Sequence, residues 1–254
     1  MSAKDARIAT ARREKATPTI EQIKHTIQSM PDHTEIERRN KTLIALTLMT
    51  GARDGALVSF KIKHVNLLEN SVFQDARDVR TKFSKTFITY FFPVGDDIRQ
   101  IVADWVNYLK EQKLWGNDDP LFPMTEVGIN AHKQFGVIGL KRKHWSTTAP
   151  VREIFKEAFK NAGLPYFNPH SLRNTLVCLG EKVCKTPEDF KAWSQNLGHE
   201  GVMTTFLSYG QVTQHRQGEI IRNLPLQKES YSENINNLAK AIAQELRSSS
   251  FRES

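Results

Sequence analysis

Four side chains between positions 168 and 210 have the types and spacing to act together on a phosphate. His170 and Arg173 lie in the run NPHSLRNT, His199 in QNLGHE and Tyr209 in TTFLSYGQV. A phosphodiester under attack gathers negative charge on its non-bridging oxygens, and fixed cations and donors stabilise that charge. Arginine meets a phosphate through two parallel N–H bonds and stays charged, a geometry lysine cannot reproduce. Histidine can donate to a phosphate oxygen or move a proton near neutral pH. Tyrosine becomes a nucleophile once its proton leaves, and its ordinary pKa of about 10 calls for a cationic setting. Taken singly, each of these residues is more often packing or surface; the joint pattern carries the reading.

The elements that must position them follow from periodicity. If NPHSLRNT opens a helix, His170 and Arg173 share one face. Leu172, Leu176, Leu179 and Val183 then form an apolar stripe for the core. Pro169 suits the first turn, where its missing N–H costs nothing. Upstream, the sequence predicts helices over 17–30 and 34–50, the second stopped by Gly51. Arg53 follows that stop directly, and Leu57, Val58 and Phe60 begin a new apolar run expected to continue into a strand. Residues 71–93, with the β-branched and aromatic run TFITYFF, read as strands flanking a polar turn, RTKFSK, that holds Lys82 and Lys85. Asp96 and Asp97 are expected to cap a helix whose core stripe is Ile98, Ile101, Val102, Trp105, Val106 and Leu109. The run 123–149 reads as loop-rich and carries Lys141, Arg142 and Lys143, a basic run suited to backbone phosphate. Pro150 opens another helix, ended by Gly163. From Ser232, the residues Ile235, Leu238, Ala239, Ile242 and Leu246 stand at helical spacing.

The 254-residue chain is 39% apolar and 25% charged, a globular composition. Its formal net charge of +8 favours an anionic partner, with nucleic acid foremost. The two cysteines, Cys178 and Cys184, form neither a metal motif nor a disulfide framework and fit an intracellular compartment. No run of about eighteen apolar residues is present, so no transmembrane helix is expected, and the N-terminus has no signal-peptide core.

The joint pattern resembles the tyrosine recombinase family, of the phage integrase type. His170-Ser171-Leu172-Arg173 matches the family's H-x-x-R pair, Leu197-Gly198-His199 its L-G-H, and Tyr209 its nucleophile about ten residues later. Thr50-Gly51-Ala52-Arg53 matches the T-G-x-R that carries the first arginine. Thr81-Lys82 matches the hairpin lysine pattern, so Lys82 is chosen over Lys85. One position departs: the family commonly has an acidic residue three after the first arginine, and here it is Ala56, with Asp54 the nearest substitute.

The resemblance implies a mainly α fold with a small antiparallel β-sheet (α+β), the tyrosine recombinase catalytic-domain fold, over roughly 17–230. Residues 1–16 are then a basic lead, or the remnant of a linker from the helical core-binding domain that members usually carry. Residues 231–254 form a C-terminal helix that folds back or docks in trans on a neighbouring protomer. It further implies a site-specific recombinase or integrase, independent of metal, cofactor and ATP, with Arg53, Lys82, His170, Arg173, His199 and Tyr209 as the catalytic set. Lys85, Lys141, Arg142 and Lys143 are further candidates for DNA contact. Double-stranded DNA and a tetramer on paired sites are the implied partners, without a membrane, in the cytoplasm and on the nucleoid. Two alternatives share the pattern: a type IB topoisomerase-like nicking-closing enzyme, and a DNA-binding regulator that has lost catalysis. A plain RNA-binding domain ranks last, because aromatic stacking motifs are missing.

Overall fold

The computed structural model describes residues 16–129 and 133–199. The expectations for the basic lead up to residue 15, for Tyr209 and for the C-terminal helix lie outside the described residues. The helices begin where the sequence places side-chain caps. Helix α1 (Ile20–Ser29) starts at Thr19, whose hydroxyl accepts from the Gln22 N–H, and α2 (Glu35–Thr50) starts at Thr34 with Glu37 in the reciprocal position. Such a cap contributes about 0.5–2 kcal/mol. Helix α2 ends at Gly51, whose φ of 62° is the left-handed turn that glycine adopts most readily. A short helix α3 (Asp54–Leu57) follows at once.

Helix α2 is buried from Thr42 to Thr50 and is the central helix of the fold. It packs against α1, α4 (Asp96–Asn107), α5 (Ala149–Asn161) and α6 (Pro169–Val183). Apolar residues all round mark a helix enclosed by its neighbours. The threonines within it satisfy their hydroxyls internally: Thr47 Oγ1 donates to the Leu43 carbonyl and Thr50 Oγ1 to that of Leu46. Trp105 on α4 is buried and its indole N–H donates to the Leu121 carbonyl at 2.9 Å.

The strands form two sheets. One is three-stranded and antiparallel, β1 (Val65–Asn66), β2 (Ser71–Gln74) and β3 (Phe87–Tyr90), with β2 in the middle. The other is the pair β4 (Pro123–Ile129) and β5 (Phe135–His144). The chain ends its described part with α7 (Pro187–Asn196), capped by Thr186.

The mainly helical fold with antiparallel sheets is as expected, and four details differ. Residues 123–144 form β4 and β5, not loop; Val127 faces Val137 and Ile129 faces Phe135 across the ladder, where β-branched and aromatic pairs fit. The segment after Arg53 first makes the turn of α3 and reaches the expected strand only at β1, from Val65. The N-cap of α4 is Gly95, and Asp96 and Asp97 occupy the first turn, where their charge suits the helix dipole. The stripe on α6 buries Leu172 and Leu176, but Val183 at its end is exposed.

Candidate active site

Two helix ends and one buried arginine make the centre of the site. Asn168 caps α6, its side chain accepting from the Ser171 N–H, and Pro169 occupies the first turn. This starts the helix so that Arg173 points inward, only 4% exposed. Its guanidinium donates through Nη1 to the Gly51 carbonyl at 3.1 Å, through Nη2 to the Leu197 carbonyl, and through Nε to Nε2 of His199 at 3.2 Å. One side chain thus ties the end of α2 to the end of α7. Burial, then the charge of Arg53, lower its pKa to about 9, so it is a cation at neutral pH.

His199 is placed by the way α7 stops. The Gly198 N–H donates to the Gln195 carbonyl at 2.7 Å and the His199 N–H to that of Ser194 at 3.1 Å. That pair of bonds is a Schellman motif, and it requires the left-handed φ of 70° found at Gly198. The motif L-G-H is therefore a helix terminator whose next residue is held by backbone bonds. The same turn is docked on the sheet edge. The Asn196 side chain accepts from the Tyr90 N–H at 2.7 Å and donates to the Tyr90 carbonyl at 2.9 Å, completing β3 as a neighbouring strand would.

Because Arg173 donates to Nε2 of His199, that nitrogen presents a lone pair and the neutral ring carries its proton on Nδ1. Burial first, then the charges of Arg173, Arg53, His170 and Lys82, lower the His199 pKa to about 4. The imidazole is neutral at pH 7, with Nδ1–H as the donor of its ring. Geometry gathers four of the expected positions: Arg173 holds both His199 and the Gly51 carbonyl, and Arg53 and His170 line the cavity beside Gly51. His170 and Arg173 differ in burial despite their spacing, His170 being exposed and Arg173 enclosed.

Arg53 is half-buried at the start of α3, and burial lowers its pKa. It lines a cavity of about 460 Å³ together with Gly51, Asp54, Arg152, Tyr166 and His170. Arg152 and Tyr166 were not anticipated; they come from α5 and the loop after it, and no local motif marks them. Asp54 does not take the part of an acidic partner to Arg53, since it accepts from Arg152 Nη2 at 3.0 Å. Desolvation raises the Tyr166 pKa, which makes its phenol a poorer nucleophile.

Lys82 stands at the tip of the β2–β3 connection, exposed, with its ammonium 4.7 Å from the centre of the Phe83 ring. Phe83 and Ser84 have φ of 60° and 51°, left-handed for residues with a Cβ. Each such residue costs about 1–2 kcal/mol. Lys85 is half-buried beside the tip. Lys141, Arg142 and Lys143 lie exposed on β5, with Arg142 paired to Asp119. Among the described residues, no group of three or more His, Cys, Asp or Glu side chains is placed to hold a metal ion. Among them, too, no helix is long and apolar enough to cross a membrane.

An arginine pair and two histidines around one helix junction, with a lysine on a hairpin tip of the same α+β frame, are groups with the chemistry to hold a phosphate. Comparison with known proteins places this frame. The profile of the phage integrase family matches residues 18–216, a range that includes Tyr209, and the chain belongs to that family. It is 26% identical to tyrosine recombinase XerD of Staphylococcus haemolyticus (strain JCSC1435), across 83% of this chain. The chain spans 64% of that relative's length. Among solved structures, the fold is similar to XerA recombinase, with a TM-score of 0.54 at 20% identity, covering 85% of this chain and 67% of the other. It is also similar to XerH recombinase bound to a difH substrate, with a TM-score of 0.54 at 18% identity, covering 85% and 56%.

Proposed function

We propose that the chain is a site-specific DNA recombinase or integrase that cuts and rejoins DNA through a 3′-phosphotyrosyl intermediate at Tyr209. The observation that carries this reading is the junction where Arg173 binds both His199 and the Gly51 carbonyl, with Arg53 and His170 lining the cavity beside Gly51. The Tyr209 oxygen attacks the scissile phosphorus, the bond to the 5′ oxygen breaks, and that oxygen leaves as a hydroxyl. Arg53 and Arg173 neutralise the charge on the non-bridging oxygens. His199 donates through Nδ1–H, the proton that the bond from Arg173 leaves in place. His170 takes the tyrosine proton and Lys82 supplies one to the departing oxygen. The phosphotyrosyl bond keeps the energy of the broken linkage, so a second 5′-hydroxyl reverses the step without ATP.

The proposed partner is double-stranded DNA, bound by a tetramer on paired sites, in the cytoplasm and on the nucleoid. The net charge of +8 supports the DNA partner. The XerH structure is bound to a difH substrate, which supports a DNA partner, and a lambda integrase of similar fold was solved as a dimer bound to a COC′ core site, which supports paired protomers here. Residues 17–230 act as the catalytic unit, and 231–254 link neighbouring protomers. Lys85, Lys141 and Lys143 contact DNA backbone.

A nicked suicide duplex tests this. Cleavage near the nick releases a short fragment and traps the protein on DNA. Wild type should give a covalent band on a denaturing gel in the presence of EDTA, and Tyr209→Phe should give none. A band that persists in Tyr209→Phe would move the nucleophile elsewhere, with the cavity-lining Tyr166 the next residue to change.

A further inference from the structure

We infer that Ser59 is a positioning residue for Lys82, fixing the turn that presents the lysine to the 5′ leaving oxygen. The inference rests on the reading of Lys82 as the general acid. Ser59 lies just beyond α3, the helix that begins at Arg53, and is 8% exposed. Its hydroxyl has one proton and two acceptor positions. It accepts from the Arg80 N–H at 2.9 Å and donates towards the carbonyls of Gly55 and Ala56, at 3.0 and 3.1 Å. Arg80 is two residues before Lys82. The hydroxyl therefore ties the backbone of the lysine turn to the backbone of the arginine helix.

A second contact makes the same join. A Cβ placed on Gly55 would stand 3.2 Å from the Arg80 carbonyl oxygen, so the turn lies against α3 where that helix has no side chain. The turn needs such support. Phe83 and Ser84 hold left-handed backbone, which persists only where the surroundings impose it. Lys82 itself is exposed, so its placement comes from its backbone and not from a packed side chain. Through Ser59, the phosphate clamp and the acid stand on one rigid frame. The α3 position expected to hold an acidic residue is Ala56, whose carbonyl instead receives the Ser59 hydroxyl.

A merely structural serine and a positioning serine differ in one readout. Sulfur in place of the bridging 5′ oxygen leaves as a thiolate and needs no acid, so it bypasses Lys82. The full chain is used, with a nicked duplex recovered from a randomised pool by covalent capture on the wild type. The duplex is then remade with oxygen or sulfur at the scissile 5′ position. Ser59→Ala should form the adduct about 10-fold more slowly with oxygen and within about 2-fold of wild type with sulfur, since small misplacements of catalytic groups cost rate steeply. Ser59→Thr, which keeps the hydroxyl, should behave as wild type with both. Ser59→Ala that is equally slow with both, or unimpaired with oxygen, overturns the inference. If Lys82→Ala is not itself rescued by sulfur, the acid assignment fails and the inference falls with it. If Lys82→Ala is rescued and Ser59→Ala is not, only the Ser59 inference falls. Hydrogen exchange gives an answer without catalysis: the Arg80 amide should be protected in wild type and lose about 10-fold protection in Ser59→Ala, with α2 unchanged. An Arg80 amide already unprotected in wild type overturns the anchor.

Discussion

Replacing Gly198 by alanine should destabilise the chain and displace His199, by an amount that can be worked out from the turn. Two costs add. The φ of 70° is left-handed, which costs an alanine about 1–2 kcal/mol. The new Cβ would also stand 2.7 Å from Cζ and 2.8 Å from Cε2 of Phe87, a ring edge that must shift. Overpacking of this kind costs about 1–3 kcal/mol. The sum is about 2–5 kcal/mol, and at roughly 2–4 °C per kcal/mol for a chain of this size the melting point should fall by about 4–20 °C. Thermal unfolding followed by circular dichroism measures it. The partition is open to a double-mutant cycle, because Phe87→Ala removes the ring and leaves the torsion. In that background Gly198→Ala should cost only the backbone part, about 1–2 kcal/mol. A melting point within about 1 °C of wild type would refute the geometry assigned to the L-G-H turn. An undiminished cost in the Phe87→Ala background would refute the steric half alone.

Arg173→Lys should be inactive and less stable, because one ammonium cannot serve the Gly51 and Leu197 carbonyls and His199 together. Each buried carbonyl left unpaired costs about 1–3 kcal/mol, and adduct formation should drop by about 100-fold or more; wild-type adduct yield from this variant would remove Arg173 from the site. His64, His144 and His199 all have pKa values lowered chiefly by burial. The folded state thus binds fewer protons than the unfolded one, and stability is full above about pH 6.5 and declines as pH falls towards about 4. Melting points at pH 7.5 and 5.0 should show this loss, and His199→Asn should reduce it. Lys143→Ala should weaken DNA binding evenly across sequences and lower the slope of log affinity on log salt by about 0.9. Arg142→Ala should change that slope less, since Arg142 is already paired with Asp119.

Much of the frame could be read locally because the signals are local. Thr34 with Glu37, Gly51, and Asn168 with Pro169 announce helix ends through bonds made within a few residues. The ribbon of β4 and β5 was missed because Gly128, Gly136 and Gly139 and the basic run on β5 resemble loop composition, whereas cross-strand pairing is a tertiary event. The buried Arg39 belongs to the same lesson. Its guanidinium donates to the Pro123 carbonyl at 2.8 Å and Thr125 Oγ1 at 3.0 Å and stacks on Trp145, anchoring the ribbon to α2. Nothing near position 39 in the sequence foretells those partners.

The sequence by itself determined the inventory of the site: which residue types are present, in what order, and which of them sit at helix ends. Those are properties of short windows, where capping and backbone torsions act. Only the tertiary structure decided the assembly. It made Arg173 a strut between two helix ends, left His199 neutral with Nε2 occupied, turned Asp54 towards Arg152 and set the Lys82 turn on Ser59. These outcomes depend on groups far apart in sequence meeting in a desolvated place, where burial sets both the charge state of a side chain and the cost of leaving it unpaired.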